Sequence, residues 1–224
     1  MDANTIIAII NFIPAAFLLY IILGKYEGYF KDNKAFFSLI IGLGIGMGTG
    51  IFSLYFPLNV FLWTLAFIGL IDLIKLTILI QKPFRLNHDT TFYGMALGIG
   101  IGAMFLFMSS FYAGLESISA KTTLFIFLLA FNFTFINSST GAIIGYGSYQ
   151  GEFWRFFFRA FIIHGIHGML VSFVWGGLSE TSSFALLIID VIFNILVFLY
   201  VINIIFKKTI PKELKKAKQK DSKS

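Results

Sequence analysis

The chain contains no cysteine. Disulfides, thiol nucleophiles and cysteine-ligated metal centres are therefore excluded. Charge is scarce as well: only 12% of the 224 residues are Asp, Glu, Lys or Arg, and there are three histidines. No Walker loop, HExxH pair, internal repeat or soluble insert interrupts the chain, which removes nucleotide-driven and zincin-type chemistry. The N-terminal apolar run has no basic residues before it, so it reads as a retained span and not a signal peptide.

Apolar residues are what the chain has in quantity. They make up 58% of the residues, at a mean hydropathy of +0.86. This is the composition of a multi-pass membrane protein. Seven spans are expected, at about 4–24, 35–56, 58–80, 90–113, 122–145, 157–177 and 183–206, since about 20 apolar residues cross a bilayer as a helix. The expected class is an all-α membrane bundle in residues 1–206, followed by a basic tail in 207–224.

The formal net charge is +6, and eight of the 17 Lys and Arg residues lie in the last 18 positions. Their position beside the membrane points to anionic lipid as partner and away from nucleic acid. Lys25, Lys31 and Lys34 follow the first span, Lys82 and Arg85 the third, and Arg155 precedes the sixth. The alternate connections hold only Lys121. The positive-inside rule predicts an outside N-terminus, a cytoplasmic C-terminus and residence in the cell membrane.

Asp72 and Lys75 interrupt the third span, which has no other charge between Leu58 and Ile80. Three residues apart, they share one helix face and can neutralise each other. One reading is a pair that aids insertion, with Lys75 snorkelling to the surface. The other is a polar site within the bundle. Counting 1.5 Å per residue, Asp72, Gly98, Asn137 and His164 all fall about 10–14 Å from the cytoplasmic ends of their spans. A carboxylate and an imidazole at one depth can activate water, directly or through a divalent metal; the same groups can also simply bond one another across helices. His167, one turn beyond His164, is either a second ligand or a hydrogen-bond partner. Asp190 and Asn194 lie nearer the outside and read as a structural pair, and His88 as a solvated loop residue.

Glycines recur in the second span (Gly42, Gly44, Gly46, Gly48, Gly50) and the fourth (Gly94, Gly98, Gly100, Gly102). Every-fourth spacing makes a smooth face that lets helix backbones approach closely in lipid. It serves either internal packing or the docking of a partner helix.

The order of these features resembles the PrsW family of intramembrane proteases, in the group that includes the CAAX prenyl proteases and the APH subunit of gamma-secretase. Ile71-Asp72-Leu73-Ile74-Lys75 stands where that family has Glu-Glu-x-x-Lys. Tyr93-Gly94 with Gly98 and Gly100 matches its glycine-rich span. Gly145-Tyr146 matches the end of the next, which puts Asn137 at a histidine position. His164-Gly165-Ile166-His167-Gly168 matches the last motif, with Gly168 where an acid or amide is expected. Departures accompany the matches: Ile71 replaces one acid, Asp72 shortens the other, and Phe105 stands near the position of a further acid. The resemblance covers about residues 58–177.

Two functions follow from this resemblance. One is an intramembrane protease whose catalytic set is reduced to Asp72, His164 and His167. Asp72 would then be general base or metal ligand, and the histidines ligands or oxyanion stabilisers, with Lys75 and Asn137 beside them. The other is an APH-like scaffold that binds a partner or substrate helix on Gly94, Gly98 and Gly102. A metal route needs about three ligands, and the candidates are Asp72, His164 and His167. Lys75 repels a cation there, and the neutral amide of Asn137 is a weak zinc ligand. A transporter is disfavoured, since no inverted repeats or broken helices are evident.

Overall fold

The computed structural model describes residues 3–55, 60–112, 119–176 and 179–210. Most of the basic tail, from Pro211 to Ser224, lies outside the described residues. Seven long helices account for the described chain: α1 (Ala3–Tyr26), α2 (Asp32–Ser53), α3 (Phe61–Leu79), α4 (Thr90–Tyr112), α5 (Ala120–Gln150), α6 (Phe153–Trp175) and α7 (Glu180–Tyr200). After Tyr200, α7 runs on through a π-helical segment, Val201–Ile205, and a last α-turn, Phe206–Thr209. All seven are long and apolar enough to cross a bilayer. The chain is a helical multi-pass membrane protein in architecture. Its outward surface carries large apolar side chains such as Phe17, Phe36, Leu62, Ile162, Ile192 and Leu196. Helices suit this setting because each satisfies its own backbone hydrogen bonds.

Helix ends differ from expectation mainly at α5, which runs to Gln150 and not to 145. Its 31 residues span roughly 46 Å at helical rise. Gly151 stops it by adopting φ +74°, with its N–H on the Ser148 carbonyl and the Glu152 N–H on the Gly147 carbonyl. This is the glycine-dependent stop in which two orphan carbonyls are satisfied by a left-handed residue.

At the centre, α4 is packed between α2 and α5. A Cβ added to Gly94, Gly98 or Gly102 would fall on the backbone carbonyls of Gly141, Asn137 and Phe133 of α5. A Cβ on Gly42, Gly46 or Gly50 of α2 would meet the carbonyls of Leu97, Ile101 and Phe105 of α4. The glycines therefore let three helices pack backbone to backbone, where dispersion and weak polar contacts replace the missing hydrophobic drive. The seam between α3 and α6 is built differently. There Gly69, Gly165 and Gly168 of the two helices face the side chains of Phe161, Leu65 and Ile68.

One end of the bundle is tied by polar contacts. Ser148 donates to the Leu79 carbonyl (2.6 Å), the Tyr93 hydroxyl accepts from the Lys31 N–H (3.2 Å) and donates to Asp89 (2.9 Å), and Lys34 donates to the Pro83 carbonyl (2.9 Å).

Candidate functional site

Helix α3 presents Asp72 and Lys75 on the same face as Ile68, Ile71 and Leu79, all buried. Lys75 does not snorkel: both it and Asp72 are 0% exposed. Lys75 Nζ donates to Asp72 Oδ1 at 2.9 Å and to the Thr140 hydroxyl of α5 at 2.8 Å. Thr140 in turn donates to the Ile136 carbonyl (2.9 Å), so its oxygen is free to accept from the ammonium. Thr140 escaped the sequence reading, although it lies one turn from Asn137.

Across the α3–α6 seam, Nδ1 of His164 lies 3.0 Å from Asp72 Oδ1. Against a carboxylate, the proton of this nitrogen is the hydrogen-bonding one. Asp72 Oδ1 thus receives both Lys75 and His164, while Asp72 Oδ2 has no partner.

His167 takes a different partner. Its Nδ1 lies 2.8 Å and 3.1 Å from the two oxygens of Asp190 on α7. One helical turn separates the histidines and raises the second by about 4.5 Å along α6. This brings His167 level with a carboxylate that sequence depth alone assigned to another layer. Their rings stand 5.9 Å apart between centroids, and Phe133 packs edge-on against His167 at 5.1 Å. Below Asp190, Asn194 donates to Asn132 (3.0 Å), and Asn132 to the Leu187 carbonyl (3.3 Å), linking α5 and α7. His88 lies in the connection between α3 and α4 and pairs with neighbouring Asp89 at 2.7 Å.

Asn137 reaches the same region from α5. Its amide nitrogen donates to the Phe133 carbonyl (2.9 Å), and its Oδ1 is buried without a partner. A cavity of about 20 Å³ lies between α3, α4, α5 and α6, lined by Thr64, Ile68, Phe133, Asn137, His164 and His167, among others.

This geometry bears on two expectations. The candidate metal set of Asp72, His164 and His167 does not converge, because each imidazole turns its Nδ1 to a different carboxylate. Among the described residues no three His, Asp or Glu side chains are grouped to hold a metal ion. The Lys75 ammonium, 2.9 Å from Asp72, also repels a cation at that carboxylate. The residues present do not fit a divalent metal. The glycine face of α4 is likewise not open to a partner: Gly94, Gly98 and Gly102 are filled by the α5 backbone of the same chain.

No protein family, curated protein or solved structure matches this chain.

Proposed function

We propose that this chain is an intramembrane hydrolase of the PrsW type, cutting peptide bonds of membrane-spanning substrates. The observation that supports it most is the buried pair of Asp72 and His164, 3.0 Å apart across α3 and α6. An ionised side chain at mid-membrane costs about 2.5–3.5 kcal/mol on insertion scales. Interhelical hydrogen bonds return only about 1–2 kcal/mol each in lipid, less than the cost of burying two carboxylates, two imidazoles and an ammonium within a few turns. Charges kept at that cost mark chemistry by default. The order of the motifs around Asp72, Gly94, Asn137 and His164 supports the same reading.

Asp72 holds the His164 ring through Nδ1 and turns Nε2 away from itself. Lys75 neutralises Asp72 and so keeps the pair compatible with a low-dielectric interior. A substrate helix would approach along the α3–α6 seam, where side chains such as Ile68 and Leu65, not backbone, fill the space opposite glycine. The chain would sit in the cell membrane with its N-terminus outside and its basic C-terminus on the cytoplasmic leaflet. A scaffold role would need a docking face other than Gly94, Gly98 and Gly102.

The test is cleavage of single-span reporter substrates by the purified chain in liposomes. Wild type should cleave, and His164→Ala should lose cleavage while still co-purifying with substrate. Unchanged cleavage by His164→Ala, or none by the folded wild-type chain across a substrate library, overturns the reading.

A further inference from the structure

Two buried polar atoms, on residues that line the small cavity, have nothing to bond. One is Oδ1 of Asn137, on a residue 2% exposed; the other is Nε2 of His167, on a residue 1% exposed. Both are acceptors. Asn137 spends its amide nitrogen on the Phe133 carbonyl, which leaves the oxygen pointing elsewhere. His167 spends the Nδ1 proton on Asp190, which leaves the lone pair of Nε2 without a donor in the neutral ring. The cavity measures about 20 Å³, and about 10–15 Å³ suffices for one water when two or more polar partners surround it. Two unpartnered acceptors on residues lining one small cavity call for a molecule with two O–H donors.

We propose that the Asn137, His167 and Asp190 side chains form a water-binding site, in which one water donates to Asn137 Oδ1 and to His167 Nε2. His167 is the base that activates this water. Asp190 is a positioning residue that fixes the Nδ1 tautomer and counters the imidazolium.

Charge favours His167 over His164 as the base, which leaves His164, held by Asp72 through Nδ1, to orient the substrate by accepting a backbone N–H at Nε2. Asp72 already shares its Oδ1 with the Lys75 ammonium, so a second cation on His164 would lie beside an existing one. Asp190 has His167 as its ion-pair partner, and no Lys or Arg among the described residues stands within 4.0 Å of it. A proton taken up by His167 is therefore matched by a carboxylate not otherwise neutralised.

This inference rests on the hydrolase reading for its reaction and on the cavity alone for the water. In the reaction, the water oxygen bonds to the substrate carbonyl carbon as one water proton passes to His167 Nε2. The carbonyl π pair moves onto oxygen. When that pair returns, the C–N bond breaks, and Nε2–H passes its proton to the leaving amine. Acid and amine result, and His167 is again neutral.

The water is tested without substrate by infrared difference spectroscopy of the full chain in lipid, exchanging H₂¹⁶O for H₂¹⁸O. Wild type should show an isotope-sensitive O–H stretch of a hydrogen-bonded buried water, and Asn137→Leu and His167→Phe should each remove it. Nitrogen-15 NMR of the wild-type histidines should show His167 protonated at Nδ1 and hydrogen-bonded as acceptor at Nε2. An Nε2-protonated neutral ring, or no isotope-sensitive band in wild type, overturns the site, and neither result depends on a variant folding. Cleavage read on the same samples separates the two proposals. A band that is lost in the variants, with no cleavage by wild type, sinks the hydrolase and leaves the water site standing. Cleavage retained in full by His167→Phe overturns His167 as the base.

Discussion

Lys75 Nζ lies 2.9 Å from Oδ1 of Asp72, and neither side chain touches the surface. Removing one member of such a pair leaves the other buried and uncompensated, at a cost of about 3–5 kcal/mol. Asp72→Ala should therefore lower stability by about that amount, whereas Asp72→Leu combined with Lys75→Met should cost much less. Thermal unfolding in detergent of Asp72→Leu, Lys75→Met and the double variant measures the coupling. Additive losses would show that the two charges do not depend on one another.

The glycines offer a contrast within one protein. A Cβ at Gly98 meets the Asn137 backbone, and a Cβ at Gly44 or Gly48 meets nothing within 4 Å. Gly98→Leu should force α4 and α5 apart and destabilise the bundle by at least the ~1–3 kcal/mol typical of overpacking. Gly44→Ala and Gly48→Ala should leave the melting temperature within a degree or two of wild type, given that benign surface changes stay within about 0.5 kcal/mol. Equal melting shifts for the two kinds of variant would contradict the backbone contact.

Asp190 is expected to govern the tautomer of His167. An amide in its place removes the negative charge and can donate to Nδ1, which moves the ring proton to Nε2. Asp190→Asn should keep the fold and lower cleavage by ~10²–10⁴-fold, the range a positioned base supplies. The ¹⁵N spectrum should show the proton transferred. A variant with reduced cleavage and an unaltered His167 tautomer would place the defect elsewhere.

The lysines and arginines at alternate connections predict an outside N-terminus and a cytoplasmic C-terminus. A reporter after Ser224 should be cytoplasmic and a tag before Asp2 accessible from outside. Accessibility of both ends from one side would show that one of the seven helices does not cross.

Chain composition determined the number and kind of elements. A hydrocarbon core of about 30 Å demands about 20 apolar residues per helix, so seven such runs could be read directly. Helix pitch likewise determined that Asp72 and Lys75 share a face, because three residues make nearly one turn. The glycine spacing identified close packing, though not whether the neighbour belonged to this chain. The exact end of α5 was not legible, because Gly151 acts through a left-handed φ that apolar content does not report.

Only the tertiary structure decided which imidazole meets which carboxylate. His164 and His167 differ by one turn of one helix, and their partners, Asp72 and Asp190, come from helices on either side of it. That assignment depends on how α3, α6 and α7 cross and rotate. Crossing angle and rotation are set by side-chain and backbone packing along the whole seams, and counts of residues from the membrane edge carry neither quantity.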